Sequence, residues 1–249
     1  MSDSQVIDKH YRRLGPSYSA LLTYSPDFVR TLTTKMVDKL RLAPDDVLVD
    51  LGCGTGIYSM DLLQQVPLRR PIIGVDPFPE MLAGIPADAH IDQVCDDALS
   101  FSRRSDTYDK VLIKETIHHV DERDELFTNL HERLSPGGVL LLVHVPPWVE
   151  YPLFEAALER CLGWHADPNE LVEQLRSAGF GVERDTLEYR HKIPKDHYFD
   201  MVRSCYMSVL TSFSDDKLAA GLEEMAAKHA DRDVLSYIDR FDYLAATKA

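Results

Sequence analysis

Apolar residues along the chain change their spacing several times, and these changes predict alternating strands and helices. Strands are predicted at residues 47–51, 72–76, 91–95, 110–113 and 139–145, where short and mainly apolar stretches occur. Between these runs, apolar residues recur three or four positions apart, as on the buried face of an amphipathic helix. This alternation predicts a mostly parallel sheet with helices on both faces.

The remainder of the chain is predicted from the same signals. Helices are expected at about 151–162 and from Asp167, an N-cap followed by Pro168, to about residue 179. A strand is expected at 181–190, mostly helical structure at 194–230, and a last strand at 241–246.

Residues 1–40 are predicted to form two helices that carry many aromatic side chains. Gly15-Pro16 ends the first helix, and Ser25 is a predicted N-cap of the second. Two interpretations of the tyrosines in this region stay open. They are packing residues, or they form a lid over a bound cofactor.

Composition and charge narrow the possible partners. The chain has 249 residues and a formal net charge of −14, which argues against a nucleic-acid partner. No apolar run reaches the roughly 20 residues of a membrane span, and the N-terminus lacks the pattern of a signal peptide. The four cysteines contain no C-x-x-C pair, so a reduced, cytoplasmic protein without a metal site is expected.

A glycine-rich turn follows the first predicted strand. Gly52, Gly54 and Gly56 alternate directly before an amphipathic segment, which predicts a strand, a tight turn and a helix start that binds a nucleotide-type cofactor. The spacing departs from the dinucleotide pattern G-x-G-x-x-G, since Ile57 takes the place of the third glycine. Asp50, just before the turn, would repel a pyrophosphate but pair with a cationic amino group.

Acidic residues recur at the ends of the predicted strands. Asp50, Asp76, Asp96 and Glu115 each lie at or just past such an end. Because ligands of open parallel sheets bind at the carboxyl ends of the strands, these acids indicate one ligand site.

The segment 47–56, Val-Leu-Val-Asp-Leu-Gly-Cys-Gly-Thr-Gly, resembles the glycine-rich motif of class I S-adenosylmethionine-dependent methyltransferases. Later signals are similar in order and spacing: Gly-Val-Asp at 74–76, Cys-Asp-Asp-Ala at 95–98, Ile-His-His-Val at 117–120 and Leu-Ser-Pro-Gly-Gly at 134–138. The resemblance covers about residues 40–146. It implies a Rossmann-like, seven-stranded α/β sheet with an antiparallel last strand, S-adenosylmethionine as cofactor, and methyl transfer to oxygen, nitrogen or carbon of a small-molecule acceptor.

The resemblance also implies a domain organisation. One methyltransferase domain spans 1–249, with an N-terminal helical lid at 1–42 and a core formed by 43–190 and 233–249. The segment 191–232 is a helical insertion that caps the site, or a helix pair that supports the edge of the sheet; both interpretations stay open.

Cofactor-binding roles follow from the resemblance. Asp50 holds the amino end, Asp76 accepts hydrogen bonds from the ribose hydroxyls, and Asp96 or Asp97 contacts the adenine amino group. Asp50 and Asp97 have an alternative role in a turn or helix cap. The predicted cofactor-binding residues are Tyr11, Tyr18, Asp50, Gly52, Cys53, Gly54, Asp76, Pro77, Phe78, Asp96, Asp97 and Lys114.

Catalytic and acceptor-binding residues are predicted near the strand ends and in the segment 191–232. A general base is needed only when the acceptor must lose a proton, and His118, His119 and Glu115 are the candidates. The histidine pair has a second interpretation without a catalytic role. The predicted acceptor-binding residues are His144, His197, Tyr198, Arg203 and Tyr206.

Other functions remain open at this point: a protein or RNA methyltransferase, non-methyl chemistry on the same fold, or a partner subunit. Val145-Pro-Pro-Trp148 resembles a motif of nucleic-acid base methyltransferases, but it follows the fifth strand instead of the fourth. Base methylation is therefore disfavoured. The protein is expected to be a monomer or homodimer.

Overall fold

A computed structural model of the protein describes residues 3–14 and 25–249. Within these residues, seven strands form one sheet in the order β3-β2-β1-β4-β5-β7-β6. The strands are β1 (Leu48–Leu51), β2 (Ile72–Asp76), β3 (Ile91–Cys95), β4 (Tyr108–Lys114), β5 (Leu134–His144), β6 (Gly181–Pro194) and β7 (Val234–Thr247).

Strands β1 to β5 are parallel to one another, whereas β7 runs antiparallel to both of its neighbours, β5 and β6. This arrangement confirms the predicted fold class. The order places β1 and β4 at the centre, so the turn after β1 lies at the point where the chain changes direction across the sheet.

Helices cover both faces of the sheet. They are α1 (Asp3–Leu14), α2 (Pro26–Leu40), α3 (Ile57–Gln65), α4 (Pro79–Leu82), α5 (Ala98–Ser102), α6 (Arg123–Arg133), α7 (Glu155–Leu162), α8 (Pro168–Ser177), α9 (Lys195–Arg203) and α10 (Asp215–Lys228), with 3₁₀ turns at Ile117–His119 and Ser208–Ser212.

Two hydrophobic clusters hold these layers together. On one face, Leu32 of α2 and Leu62 of α3 pack with Leu141 of β5. On the other face, Phe127 of α6 packs with Leu140 of β5. Consecutive residues of β5 pack in the clusters on opposite faces of the sheet, because side chains alternate in direction along a strand.

Helix starts follow the local sequence signals. The Ser25 hydroxyl accepts a hydrogen bond from the Phe28 amide at 3.1 Å and caps α2. The Asp167 carboxylate accepts one from the Asn169 amide at 2.7 Å and caps α8. Each cap satisfies a backbone N–H that has no partner within the helix.

Several predicted boundaries are wrong. Strands β6 and β7 pair continuously from Gly181 with Thr247 to Pro194 with Val234, so both are longer than predicted. This two-stranded ribbon continues past the end of β5, where polar and charged residues interrupt the apolar positions of both strands. The helix predicted from residue 151 begins at Glu155, and the short helix α5 was not predicted.

None of the helices in the described ranges combines the length and the apolar character that a membrane crossing requires.

Candidate active site

A cavity of about 290 Å³ lies at the carboxyl ends of the central strands. The glycine turn and the end of β2 form one side, and the overhanging part of β7 forms the opposite side. Helix α1, α9 and the 3₁₀ turn at Ser208–Ser212 enclose it, through Ile7, Tyr11, Met201 and Ser208. The N-terminal helix and the segment between β6 and β7 therefore meet over the strand ends.

The glycine turn needs its glycines. Gly52, Gly54 and Gly56 have φ values of 82°, 56° and 71°, in the left-handed region that other residues rarely adopt. A Cβ on Gly52 would lie 2.0 Å from the Thr116 hydroxyl oxygen. The amides of Gly52 and Cys53 both donate to the Val75 carbonyl, at 2.7 and 3.0 Å, and fix the turn against β2.

Two buried carboxyl groups flank this turn. Asp50 accepts a hydrogen bond from the Ser59 hydroxyl at 2.6 Å. Asp76 accepts from the amides of Gly54 and Phe78, both at 3.0 Å. Burial raises the pKa of each carboxyl to about 6, and for Asp50 the neighbouring Asp76 adds to the effect. At neutral pH both are mostly ionised in an apolar setting, which favours a cationic ligand.

Helix α1 closes the cavity over Phe78. The rings of Tyr11 and Phe78 stack with their centroids 5.2 Å apart. The Tyr11 hydroxyl lies 3.2 Å from Nε2 of His119. One aromatic side chain of α1 thus connects the residues after β2 with those after β4.

The segment after β4 is conformationally constrained. Glu115 has φ of 56°, a left-handed conformation that is uncommon for a residue with a side chain. Its Oε1 accepts a hydrogen bond from the Val145 amide at 2.7 Å, which ties the ends of β4 and β5 together. Burial raises the pKa of Glu115, partly offset by the adjacent Lys114 ammonium.

Lys114 is buried beside aromatic rings. Its Nζ lies 4.4 Å from the ring centroid of Tyr58 and 5.4 Å from that of Phe241. Burial lowers the pKa of Lys114, against the opposing effect of Glu115, Asp239 and Asp50. Cation–π contacts and nearby carboxylates therefore stabilise an ammonium group inside the cavity.

Three histidines line the cavity near the 3₁₀ turn at Ile117–His119. The His118 ring centroid lies 3.9 Å from that of His119 and 5.2 Å from that of His165. Burial lowers the pKa of His119 to about 3 and of His165 to about 4, and holds that of His118 well below its usual value. These imidazoles are neutral at physiological pH.

The opposite wall combines tyrosines with one carboxylate. The Tyr151 hydroxyl donates a hydrogen bond to Oδ1 of Asp239, and Nε2 of His191 lies 3.4 Å from Oδ2. The ring of His191 stacks on Tyr237 at 5.0 Å. Asp239 is 8% exposed, so its charge lies within the protein and faces the cavity.

Most of the predicted site residues meet in this cavity. Those that line it are Tyr11, Asp50, Gly52, Cys53, Gly54, Asp76, Pro77, Phe78, Lys114, Glu115, His118, His119 and Tyr206. Tyr18 lies outside the described residues. The cavity lining in the described part of the chain does not include Asp96, Asp97, His144, His197, Tyr198 or Arg203.

Local contacts near β3 explain why Asp96 and Asp97 do not line the cavity. Asp97 caps α5 by accepting a hydrogen bond from the Ser100 amide at 2.8 Å, which was its alternative interpretation. Asp96 pairs with Arg104 at 2.6 Å.

The other four residues lie farther along the chain. His144 is buried on the side of β5 opposite its neighbour Val145, which lines the cavity. His197 is exposed, and Arg203 pairs with Asp200 on the surface. The Tyr198 hydroxyl lies 3.2 Å from that of Tyr206, so Tyr198 is one layer behind the cavity wall.

Several lining residues were not predicted as site residues, among them Tyr58, Thr116, Tyr151, His165, His191, Tyr237, Asp239 and Phe241. The period-two pattern at 235, 237, 239 and 241 was the available signal, because these positions share one face of β7. The shorter strand predicted at 241–246 concealed this pattern.

Comparisons with known proteins come from sequence and structure. Residues 48–138 match a family model described as a methyltransferase domain. Phosphoethanolamine N-methyltransferase 3 of Arabidopsis thaliana is 22% identical over 213 residues, covering 74% of this chain and 43% of the plant protein.

Two solved structures share the fold. Phosphoethanolamine N-methyltransferase 2 of Haemonchus contortus, in complex with S-adenosyl-L-methionine, has a TM-score of 0.64 and 18% identity, covering 100% of this chain and 60% of that one. The [4+2]-cyclase SpnF has a TM-score of 0.64 and 17% identity, covering 100% and 97%. The chain spans less than two thirds of both N-methyltransferases.

The residues of the site fit S-adenosylmethionine. This cofactor carries an ammonium and a sulfonium cation, and the cavity holds Asp50 and Asp76 beside a turn in which a Cβ on Gly52 would clash with Thr116. Phe78 and Tyr11 offer flat apolar surfaces next to Asp76. The residues present therefore suit the cofactor that the sequence predicted.

Proposed function

We propose that this chain, a class I S-adenosylmethionine-dependent methyltransferase, transfers a methyl group to oxygen, nitrogen or carbon of a small-molecule acceptor. One observation carries the proposal. One cavity has the glycine turn and the acid pair on one side, and a polar, aromatic wall on the other. Two ligands that meet between these sides react while shielded from water.

The cofactor side is proposed to work through the residues at the ends of β1 and β2. Asp76 accepts hydrogen bonds from the ribose hydroxyls, and Asp50 pairs with the ammonium group. Phe78 and Tyr11 lie against the adenine, since their rings already stack beside Asp76. When bound, the cofactor supplies a methyl group activated by its sulfonium sulfur.

The residues after β4 are proposed to orient the two reactants. Glu115 holds β4 and β5 together, and its constrained backbone fixes the position of the following turn. His118 and His119 add hydrogen-bonding groups without a positive charge that would oppose the sulfonium. A role of His118, His119 or Glu115 as general base stays a prediction.

The domain organisation is proposed as predicted, with an N-terminal lid and a cap between β6 and β7. Contacts between the two segments support this proposal. Nδ1 of His10 lies 2.9 Å from the Thr211 hydroxyl, and Arg13 donates to the Ser204 carbonyl at 3.0 Å. A loop or chain end of a macromolecule would have to displace these contacts, so a small acceptor is favoured over protein or RNA.

The proposed function is tested by calorimetry with S-adenosylmethionine, its demethylated product S-adenosylhomocysteine, and NAD. Both sulfur compounds should bind. Asp76→Ala removes an anion that accepts hydrogen bonds worth about 1.5 kcal/mol or more each, so their affinities should fall at least about 100-fold. The matched control Asp92→Ala removes an exposed carboxylate of the adjacent strand β3 and should change neither affinity.

The outcomes separate the alternatives. Tight NAD binding without a response to either sulfur compound would refute the proposal. Cofactor binding without methyl transfer to any acceptor would instead favour non-methyl chemistry on this fold.

A further inference from the structure

The cavity wall opposite the glycine turn has a chemical character of its own. We call it the β7 wall and define it by Tyr151, Tyr206, Tyr237, Asp239 and Phe241, which all line the cavity. Four of these residues are aromatic and the fifth is a carboxylate. The wall is spatially separate from the acids at the ends of β1 and β2, since β5 and β4 lie between β7 and β1 in the sheet.

Asp239 is held in place by two neighbouring side chains. Tyr151 donates its hydroxyl to one carboxylate oxygen, and the other oxygen lies 3.4 Å from Nε2 of His191. Nε2 of His191 is buried and makes no hydrogen bond within residues 3–14 and 25–249. Both groups thus retain hydrogen-bonding capacity for a ligand.

The charges in the cavity are unequal. In the described chain, the lining contains the carboxyl groups of Asp50, Asp76, Glu115 and Asp239 but only one lysine or arginine, Lys114. S-adenosylmethionine brings two cationic groups and one carboxylate, a net charge of one. The cofactor offsets charge beside Asp50 and Asp76. Lys114 interacts with Glu115, Asp239 and Asp50 together, so one ammonium faces three carboxylates, and negative charge remains at the β7 wall for a second ligand.

The rings of the cavity are suited to a cation. Phe241 of the β7 wall already contacts the Lys114 ammonium, 5.4 Å from its ring centroid. The rings of Tyr151 and Tyr237 are 5.4 Å apart and nearly perpendicular, beside the Asp239 carboxylate. Aromatic faces attract ammonium groups and repel anions, so a carboxylate or phosphate would find little support on this wall.

We propose that the methyl acceptor is a small amine, which enters as its ammonium and is bound by Asp239 among the rings of Tyr151, Tyr237 and Phe241. This inference rests on the proposed function and names its substrate class. The ammonium first gives one proton to the Asp239 carboxylate. The freed nitrogen lone pair then forms a bond to the methyl carbon as the carbon–sulfur bond breaks. The electron pair of the carbon–sulfur bond stays on sulfur. The products are a methylated ammonium and a neutral thioether.

The test compares two probes of nearly equal shape that differ in charge. Choline carries a quaternary ammonium that accepts no further methyl group on nitrogen, and its neutral isostere has carbon in place of nitrogen. Calorimetry first measures binding of S-adenosylhomocysteine, and then binding of each probe, and of acetate, to that complex. Choline should bind at least tenfold more tightly than the isostere, and acetate should not bind.

Variants assign the preference to the β7 wall. Asp239→Asn should remove the preference for choline and leave the affinity for S-adenosylhomocysteine within about twofold. The control Asp242→Asn removes another buried carboxylate of β7, which pairs with Arg184 at 2.9 Å and does not line the cavity. It should keep the preference. Tyr151→Phe removes only a hydroxyl and should partly reduce the preference for choline over the isostere. This variant provides the test if thermal melting shows that Asp239→Asn does not fold.

The results distinguish two failures. If S-adenosylhomocysteine does not bind, the proposed function is wrong, and this inference falls with it. Three other results would refute the amine acceptor while the proposed function stands, provided that S-adenosylhomocysteine binds. They are equal affinities for the isostere and choline, tighter binding of acetate than of choline, and a preference for choline that persists in Asp239→Asn.

Discussion

The buried Asp50 carboxylate should make the free protein less stable than it would be with a neutral side chain. Burial raises its pKa from 3.8 to about 6. Each unit of pKa difference between folded and unfolded states corresponds to about 1.36 kcal/mol, so ionised Asp50 costs the free folded protein about 3 kcal/mol. Asp50→Asn has the same shape, lacks the charge, and keeps an oxygen for the Ser59 hydroxyl.

The expected sign depends on pH. Since the folded-state pKa lies above the unfolded value, the cost is fully present above pH 6 and vanishes below pH 4. The new amide also needs hydrogen-bond partners, at about 1 kcal/mol. Asp50→Asn should therefore raise the free energy of unfolding by about 2 kcal/mol at pH 8. At pH 5 the part of this stabilisation that comes from removing the charge should be about half of its value at pH 8.

Urea unfolding of the cofactor-free protein at pH 8, 7, 6 and 5 measures this effect. Calorimetry should show weaker cofactor binding by the same variant, because the ammonium group loses its proposed counter-ion. The control Asp88→Asn changes an exposed carboxylate in a turn and should leave both quantities unchanged. A variant less stable than the wild type at pH 8, or a gain independent of pH, would refute the reasoning.

Two further predictions concern the turn and its acids. Gly52→Ala should lower the free energy of unfolding by about 2 kcal/mol or more in urea, because alanine at positive φ is strained and its Cβ meets Thr116; the double variant with Thr116→Ala should recover part of the loss, and full stability of Gly52→Ala would contradict the geometry. Cofactor affinity measured by calorimetry should fall as pH drops through about 6, since Asp50 and Asp76 then take up protons and lose the charges that hold a cation. A constant affinity between pH 8 and 5 would show that these carboxylates do not contact the cationic groups.

The cofactor half of the site was accessible from sequence because its determinants are local. Gly52 and Gly54 are needed by a turn of a few residues, and Asp76 ends the strand beside that turn. Apolar runs and turn residues give such features directly. The order of strands then required only the general rules for parallel sheets and the resemblance to a known family.

The acceptor half depends on pairing between distant segments, which the sequence pattern shows only weakly. Asp239 faces the cavity because β7 pairs with β6 beyond the end of β5, and Tyr151 reaches it from a segment 88 residues earlier. His144 shows the opposite error. Its position at a strand end is as predicted, but the alternation along β5 turns its side chain away from the cavity.

The place of β7 in the sheet has a consequence for how the protein is made. Among the described residues this strand follows the other six in sequence, yet it lies between β5 and β6. Strands β1 to β5 can pair as they leave the ribosome, whereas β6 has no strand to pair with until residues 234–247 have been synthesised. In a nascent chain the glycine turn and the strand-end acids can therefore come together before the β7 wall has been synthesised. During that interval the binding surface for the cofactor can form, whereas the β7 wall proposed for the methyl acceptor cannot.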